Sequence, residues 1–252
     1  MLSPIKISPF ASNSNAIVTN FSIEHSFLLD GVNEYFTVPN ADLVNILSGN
    51  TCQFSISCLF YCTDLTSIRT LLGNWTTAPQ SIAIYTNSSG TIYFAQRYTS
   101  VTKTLVSNTG VILVNSWNLV TITFDYSLTG LIRGKIFCNG SDVTISSSLD
   151  VGFDVPTAVY NLESYNNSNY FKGYRCFDSV ENIPMTLAQH QALYNGGKPL
   201  NPQTYFGANN KLFLNPDNSG ATAQFTVTDS VNNISATSVN LEDADKTTTT
   251  PY

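Results

Sequence analysis

Short runs in which apolar and polar residues alternate recur along this sequence, and they constrain the fold more than any other feature. Alternation with a period of two places successive side chains on opposite faces of a strand. Each run is bounded by Gly, Asn, Asp or Pro, so the pattern predicts an all-β, two-sheet antiparallel sandwich and argues against a helical bundle. The clearest runs are Ser26–Leu29, Tyr35–Val38, Phe54–Cys62, Ser81–Tyr85, Thr91–Gln96, Leu119–Asp125, Gly134–Cys138 and Val143–Ile145.

Three local patterns refine this prediction. In Leu119–Asp125 the apolar residues and the threonines occupy alternate positions, which predicts one core face and one solvated face. The Asn139–Gly140 pair predicts a two-residue hairpin turn, because both central positions of that turn need a positive φ. A single short helix is predicted over Leu187–Tyr194, capped by Thr186 and ended by Asn195–Gly197.

Composition excludes several classes of function. Only 11% of the 252 residues are charged, and the net charge is −6. Nucleic-acid binding needs clustered Lys and Arg, whereas the 11 basic residues here are scattered. No segment offers the ~20 apolar residues of a membrane span. The N-terminus also lacks the basic start and apolar core of a secretory signal, so the protein is expected to be made in a cytosol.

The five cysteines are not spaced as zinc ligands. Cys58 and Cys62 share the parity of Phe54, Ile56 and Phe60, which places them on one apolar strand face. The thiols are therefore predicted to be buried, reduced and structural.

The chain divides by composition into four parts. Residues 1–20 are predicted to be an N-terminal arm, and 21–208 the sandwich core. Residues 209–240 are predicted to add strands that complete or extend the sandwich, and 241–252 to form a polar tail with little to bury.

Six segments, in a fixed order, resemble the laminin-G-like, concanavalin A-like jelly rolls. The segment Ser26–Asn40 is similar to the family's opening "F-D-G-x-x-D-Y-V-x-V-P". The remaining matches are Phe54–Ser57 for "F-T-I-S", Trp117–Asp125 for "W-H-H-V-A-x-T-F-D", Lys135–Gly140 for "x-L-Y-V-N-G", Phe171–Tyr174 for "F-x-G-x", and Met185–Ala188 leading to Leu193–Gly197. The resemblance implies a two-sheet antiparallel jelly-roll sandwich, on a fold that serves carbohydrate-binding modules, adhesion domains, glycanases and bacteriophage virion proteins.

No catalytic residues are assigned, and the protein is predicted not to be an enzyme. A retaining glycosidase needs two carboxylates about 5–5.5 Å apart, and none of the five Glu lies in the alternating array that a strand would need. His25 is expected to make a local polar contact beside Glu24. His190, in the helix, is expected to be a packed or surface histidine and not a catalytic base.

Ligand candidates are drawn from polar, turn-rich surroundings and from the family. Trp75, Tyr98, Tyr165 and Tyr170 are candidates for an aromatic platform that binds sugar. No cofactor is assigned. Calcium, which many relatives bind, remains an alternative with Asp125, Asp142 and Asp178 as its candidate ligands.

The leading functional hypothesis is a virion structural protein of a tailed bacteriophage: a head fibre, capsid decoration or tail-associated subunit that acts on the virion and binds host-surface polysaccharide. Ile5, Ile7 and Phe10 of the arm are the candidate attachment residues for other virion proteins, by addition of an edge strand. Exposed sheet edges favour association into a homo-oligomer, and a trimer is the form expected because many fibres are trimers. The alternative is a carbohydrate-binding or adhesion module of a cell surface.

Overall fold

Antiparallel strands in two facing sheets make up most of this protein. The computed structural model describes residues 23–38, 47, 52–73, 80–98, 101–129, 133–149, 160–162, 168–219, 225–229, 232 and 234–250. Both sheets are antiparallel throughout and enclose one core, so the predicted two-sheet sandwich is confirmed.

The first sheet, called sheet A, has eight strands and lies under the helices. In spatial order its strands are β10 (Ser141–Asp142), β9 (Gly134–Cys138), β8 (Trp117–Asp125), β3 (Gln53–Cys62), β13 (Lys172–Glu181), β1 (Ser26–Asp30) and β17 (Lys246–Thr247), with β14 (Asn210–Leu214) also paired to β13.

The second sheet, called sheet B, has nine strands. In spatial order they are β11 (Thr144–Ser147), β7 (Val101–Ser107), β6 (Ile92–Tyr98), β5 (Gln80–Thr86), β4 (Arg69–Gly73), β12 (Tyr160–Leu162), β2 (Tyr35–Val38), β16 (Ser235–Val239) and β15 (Thr226–Thr228).

All eight predicted runs form strands, and the predicted hairpin turn joins β9 to β10. Asn139 and Gly140 have φ values of +48° and +84°, the left-handed conformation that the turn requires. Strands β4, β7 and β12 were not predicted from the sequence. In β13 only the first residues were matched, by the family motif at Phe171–Tyr174. The central strand β13 lacks alternation because both of its faces are buried and a bulge beside Cys176 shifts its register.

The predicted apolar face of β3 lies in the core between the sheets. Phe54, Ile56, Cys58, Phe60 and Cys62 are each at most 1% exposed and belong to one cluster. All five cysteines fall within the described residues, where they are buried thiols outside any disulfide, so their predicted burial is confirmed.

The predicted solvated face of sheet A is wrong. Thr121 and Thr123 of β8 are buried, because a second apolar layer covers this side of the sheet. Its helices are α1 (Leu187–Tyr194) and α2 (Pro202–Phe206). Leu193 of α1 packs in that layer with the outward residues of sheet A, which include Leu59 and Phe177.

Helix α1 has the predicted bounds and caps. The Thr186 side chain accepts from the Gln189 N–H, and Gln189 Oε1 accepts from the Thr186 N–H. Asn195 ends the helix in the left-handed conformation. The predicted packing of His190 is confirmed, since its ring is fully buried between Thr121 and Gly140.

The C-terminal region closes both sheets. Within residues 209–240, β14 joins sheet A, and β15 and β16 join sheet B. The expected polar tail at 241–252 is corrected over its described part, 241–250: Leu241 is 1% exposed in the core, and Lys246–Thr247 pairs with β1. An apolar anchor and an available strand edge hold this segment against the sandwich. Residues 1–22, which contain the proposed arm, lie outside the described residues.

Candidate functional site

The two described helices lie on the outer face of sheet A. That face buries apolar residues such as Leu59 and Phe177 together with hydroxyl-bearing residues such as Ser57 and Thr121. Sheet B has outward residues that alternate with core residues such as Phe36, Phe94 and Val227. They are mainly Thr and Tyr and are called the open face: Tyr35, Thr37, Ala83, Tyr85, Tyr93, Ala95, Arg97, Thr102, Thr104, Val106, Thr226, Thr228, Ser235, Thr237 and Val239. Its partly exposed tyrosine and threonine residues are the candidate functional site, whereas Ala83 and Ala95 on the same face are buried, at 0% and 2% exposed.

Two tyrosines from neighbouring strands form a stacked pair on the open face. Tyr85 of β5 lies opposite Tyr93 of β6, with ring centroids 5.0 Å apart and planes 7° from parallel. Both side chains are partly exposed, and Asn87 Nδ2 donates to Tyr93 Oη at 3.5 Å. Burial raises the pKa of the Tyr85 phenol above its ordinary value. The pair is therefore a fixed aromatic surface at one side of the open face.

A second tyrosine pair includes one residue predicted from sequence. Tyr170 lies with its ring centroid 5.9 Å from that of Tyr35, the first residue of β2. The Tyr170 carbonyl accepts from Arg69 Nη1 at 3.2 Å, which fixes the backbone beside the pair. Burial raises the pKa of the Tyr170 phenol. The structure thus joins the predicted Tyr170 to Tyr35, which the sequence analysis missed.

The other predicted ligand and attachment residues are not assembled into one site by the described residues. Tyr98 ends β6 opposite Gln80. Trp75, Tyr165 and the arm residues Ile5, Ile7 and Phe10 lie outside the described residues. The parity of the predicted strands held a signal that the sequence analysis did not use. Tyr85, Tyr93 and Arg97 occupy the positions that alternate with Ile84, Phe94 and their neighbours.

The three calcium candidates lie apart, and each is engaged locally. Asp178 forms a buried ion pair with Arg175. Asp125 accepts from Gln53 and Ser127, and Asp142 lies 3.3 Å from Lys135 Nζ. Asp125 pairs in register with Gln53 and Asp178 with Cys58, so about 16 Å of β3 separates them at ~3.3 Å per residue. Across the described part of the chain, no three His, Cys, Asp or Glu residues are grouped as metal ligands.

His25 makes a different contact from the one expected. Its Nδ1 lies 2.8 Å from Asp217 Oδ1, and Asp217 Oδ2 also accepts from the Glu24 N–H. The predicted partner, Glu24, is adjacent in sequence, but the C-terminal region brings a more distant carboxylate to the imidazole. This pair joins the start of β1 to the turn after β14 and lies away from the open face.

An open pocket of about 820 Å³ lies where the β1–β2 turn meets the segment after β16. Its polar lining is four carboxylates and two amides: Asp30, Glu34, Glu242, Asp245, Asn33 and Asn240. Glu34 is only 8% exposed and accepts from the Asp30 N–H. Its burial raises its pKa to about 7. The pocket therefore presents acceptors, but its most perturbed carboxyl is held by the turn itself.

The described residues contain no helix of the length and apolarity needed to cross a membrane.

Solved structures with this architecture include proteins whose names refer to carbohydrate. A Ruminococcus gnavus sialidase CBM40 is 19% identical with a TM-score of 0.52, covering 66% of this chain and 94% of its own. A putative carbohydrate binding protein from Bacteroides ovatus is 15% identical with a TM-score of 0.57, and the match covers 86% of this chain but 58% of that one. A heptameric SAP-like pentraxin from Limulus polyphemus is 13% identical, with a TM-score of 0.50, covering 76% and 91%.

No protein of curated function matches the sequence. The family model described as the concanavalin A-like lectin/glucanases superfamily, of the laminin-G type, matches residues 30–182. This range contains β2 to β13, and so holds strands of both sheets and most of the open face. The chain belongs to this laminin-G-like family of concanavalin A-like jelly rolls.

Proposed function

We propose that this protein is a non-catalytic glycan-binding module whose ligand lies on the open face of sheet B. The observation that carries the proposal is the chemistry of that face: the partly exposed, stacked rings of Tyr85 and Tyr93 beside threonine hydroxyl groups. Sugars present apolar ring faces and many hydroxyls. Aromatic rings with a few fixed polar groups therefore suit them.

The named neighbours support the same class of ligand. One is a CBM40 that has been solved bound to alpha2,3 sialyllactose, and another is described as a putative carbohydrate binding protein. The open face adds an argument from this chain itself. Both rings of the tyrosine pair are partly exposed, so a ligand could reach them without a change in the fold.

A glycan array with the purified protein tests the proposal. Tyr93→Ala removes one ring of the stacked pair and is expected to weaken binding about tenfold, the order of one lost aromatic contact. Tyr205→Ala is the matched control, since Tyr205 is 38% exposed on α2, on the sheet A side. Absence of any glycan binding by the unaltered protein, or equal loss in both variants, would contradict the proposal.

The non-catalytic part of the proposal rests on charge. The open face carries no carboxylate, so it lacks the two acids that glycoside hydrolysis uses. The acidic pocket is the remaining place to look for hydrolysis. Incubation with each bound glycan should release no new reducing ends; release that Glu34→Gln abolishes would show an enzyme instead.

We also propose that the module works on the virion of a tailed bacteriophage, as a head fibre, capsid decoration or tail-associated subunit. The support is the laminin-G-like core together with the arm pattern of Ile5, Ile7 and Phe10. Deleting residues 1–15 should abolish incorporation into particles and leave the melting temperature nearly unchanged. A truncated protein that still assembles would favour the cell-surface alternative.

A further inference from the structure

Three aromatic side chains form a continuous row on the outer face of sheet A. Trp117 of β8 lies opposite Tyr61 of β3, and Tyr61 lies opposite Tyr174 of β13. The ring centroid of Tyr61 is 5.7 Å from that of Trp117 and 5.7 Å from that of Tyr174. Tyr61 lies between the core residues Phe60 and Cys62, which places the row on the outer face. These three aromatic residues are called the ring row.

Every ring of the ring row is partly exposed. Because neighbouring strands carry the rings, no residue separates one ring from the next. Edge-to-face contacts, with planes 67° and 77° apart, fix the rings relative to one another. Trp117 also packs against the apolar layer beneath the helices, so the row borders the covered part of the sheet. An accessible aromatic surface therefore crosses three strands, about 10 Å from the first to the last at ~4.8 Å per strand.

Polar side chains line the other side of the ring row. Lys172 lies two residues before the β13 ring, and Asp30 of β1 lies opposite Lys172, so both are on the outer face, and both are exposed. Thr63, two residues beyond the β3 ring, is partly exposed, and its N–H donates to the Lys172 carbonyl at 3.3 Å. The Lys172 stem packs on Gly31, where an added Cβ would lie 2.8 Å from Lys172 Cβ. The residues Thr63, Lys172 and Asp30 are called the polar row.

The polar row carries one positive and one negative charge. Lys172 and Asp30 are neighbours in register, so their charges offset each other although the chain has a net charge of −6. The hydroxyl, ammonium and carboxylate groups of the row supply both donors and acceptors of hydrogen bonds. An acidic ligand would meet Asp30, and a basic ligand would meet Lys172. Rings beside a line of donors and acceptors therefore match the apolar face and the hydroxyls of an uncharged sugar.

We propose that the ring row and the polar row form a second glycan-binding site, for uncharged sugars, on the opposite side of the sandwich from the open face. An oligosaccharide lies along the ring row, and the hydroxyls nearest Tyr174 accept from Lys172 and donate to Asp30. This site is independent of the open face, which belongs to the other sheet. With one site on each sheet, a single module bridges two glycan chains.

Tryptophan fluorescence tests this site directly, because the chain has only two tryptophans and Trp75→Phe leaves Trp117 as the one indole. The probes are four uncharged oligosaccharides: cellohexaose, laminarihexaose, maltohexaose and mannohexaose. The emission of Trp117 is titrated with each probe in the Trp75→Phe protein. The affinity for each probe that changes the emission is then measured for further variants in the same background.

Tyr174→Ala removes one ring of the ring row, and Lys172→Gln removes an exposed charge of the polar row without removing a packed ring. Lys211→Gln is the matched control, since Lys211 is partly exposed on β14, beside the opposite end of β13, and loses the same charge. Thermal melting of each variant checks that it folds.

At least one probe is expected to shift the Trp117 emission to shorter wavelength. Tyr174→Ala and Lys172→Gln should each weaken its binding about tenfold, the order of one lost aromatic or charge-assisted contact. Lys211→Gln should bind as tightly as its parent. Unchanged emission with all four probes, or equal affinity of Lys172→Gln and Lys211→Gln, would overturn the second site.

The glycan array separates this outcome from failure of the open-face site. Tyr93-dependent binding on the array without any change in Trp117 emission would overturn the second site and leave the open-face site standing. A change in Trp117 emission without Tyr93-dependent binding would support the second site alone. A dimer in analytical ultracentrifugation, with Trp117 emission that depends on protein concentration and not on sugar, would identify the ring row as an interface between copies and overturn the glycan assignment.

Discussion

The His190 imidazole is fully buried and neutral, which ties the stability of the protein to pH. Nε2 accepts from the Gly140 N–H, and Nδ1 lies 3.0 Å from Thr121 Oγ1. A proton added to Nε2 would therefore face the Gly140 N–H, which is a donor and cannot accept it. Burial lowers the pKa of His190 to about 4. The unfolded chain therefore binds a proton between its ordinary pKa of about 6.5 and pH 4, where the folded protein does not. The contribution of His190 to stability should fall by about 3 kcal/mol as pH decreases through this range.

Urea unfolding at about pH 7 and about pH 5, for the unaltered protein and His190→Gln, measures this contribution. The variant should be less stable at neutral pH because a buried contact changes, and its difference in stability from the unaltered protein should be smaller at about pH 5. An unchanged pH dependence in the variant would mean that the imidazole is charged in the folded protein.

Glu181 predicts the opposite slope at higher pH. Its side chain is fully buried, Oε1 accepts from Asn210 Nδ2 at 3.2 Å, and burial raises its pKa to about 8. The folded protein retains a proton that the unfolded chain releases above about pH 4.5. The contribution of Glu181 to stability should therefore decline as pH rises from about 4.5 to about 8, and it opposes the contribution of His190 where the two ranges overlap.

Glu181→Gln keeps the shape of the protonated carboxyl and cannot ionise. Its melting temperature should exceed that of the unaltered protein at about pH 9 and not at about pH 4. Glu24→Gln, at an exposed carboxyl, is the control and should show no such crossover. A lower melting temperature for Glu181→Gln at both pH values would show that the carboxylate is ionised and well solvated.

At the scale of the element, α1 depends on its first turn. The helix has eight residues, a length that is marginal without caps and packing. Thr186 and Gln189 form a reciprocal pair of cap bonds, so Thr186→Ala should lower the free energy of unfolding by about 1 kcal/mol. Chemical denaturation measures this loss, with Thr129→Ala in an exposed loop as the control. Equal values for the two variants would show that packing alone holds the helix.

The elements that could be predicted were those whose local chemistry agrees with their final surroundings. The caps of α1 and the Asn139–Gly140 turn act within a few residues, so sequence alone places them. The solvated face assigned to β8 was wrong because Thr121 is covered by α1, about 70 residues later. The open face could be predicted from the parity of Tyr85 and Tyr93 only once their strands were known to lie in the uncovered sheet.

For the whole molecule, the burial of every thiol predicts a cooperative change in reactivity. All five cysteines are buried, and burial raises the pKa of Cys138 to about 12. Because the thiolate is the reactive form, the thiols of the folded protein should react slowly with a thiol reagent. On unfolding, all five thiols should become reactive. Ellman titration with and without denaturant measures this, and an unchanged melting temperature in reductant is the companion result. Rapid reaction of one thiol in the folded protein would identify an opening of the core.

At the scale of the whole molecule, the pairing of the C-terminal segment with β1 was the feature that sequence could least predict. The acidic, Thr-rich composition after Leu241 is that of a solvated tail, and nothing local marks Lys246–Thr247 as a strand. Its conformation comes from the free edge of β1, which supplies backbone partners, and from Ser26 Oγ, which donates to the Thr249 carbonyl. A distant edge, and not the propensity of the segment, decides its structure.

The pairing of β17 with β1 also sets the order in which a newly made chain can mature. Ser26 and Thr247 are 221 residues apart, so the edge of the first described strand is covered only after residue 247 has been made. Contacts of such long range form late, because the entropy cost of closing the loop arises before the pairing compensates for it. During synthesis the edges of β1 and β2 stay uncovered after residues 30–182 have emerged, and uncovered edges join other chains. Emergence of β16 and β17, not of the family core, is then the step after which these edges are protected from aggregation.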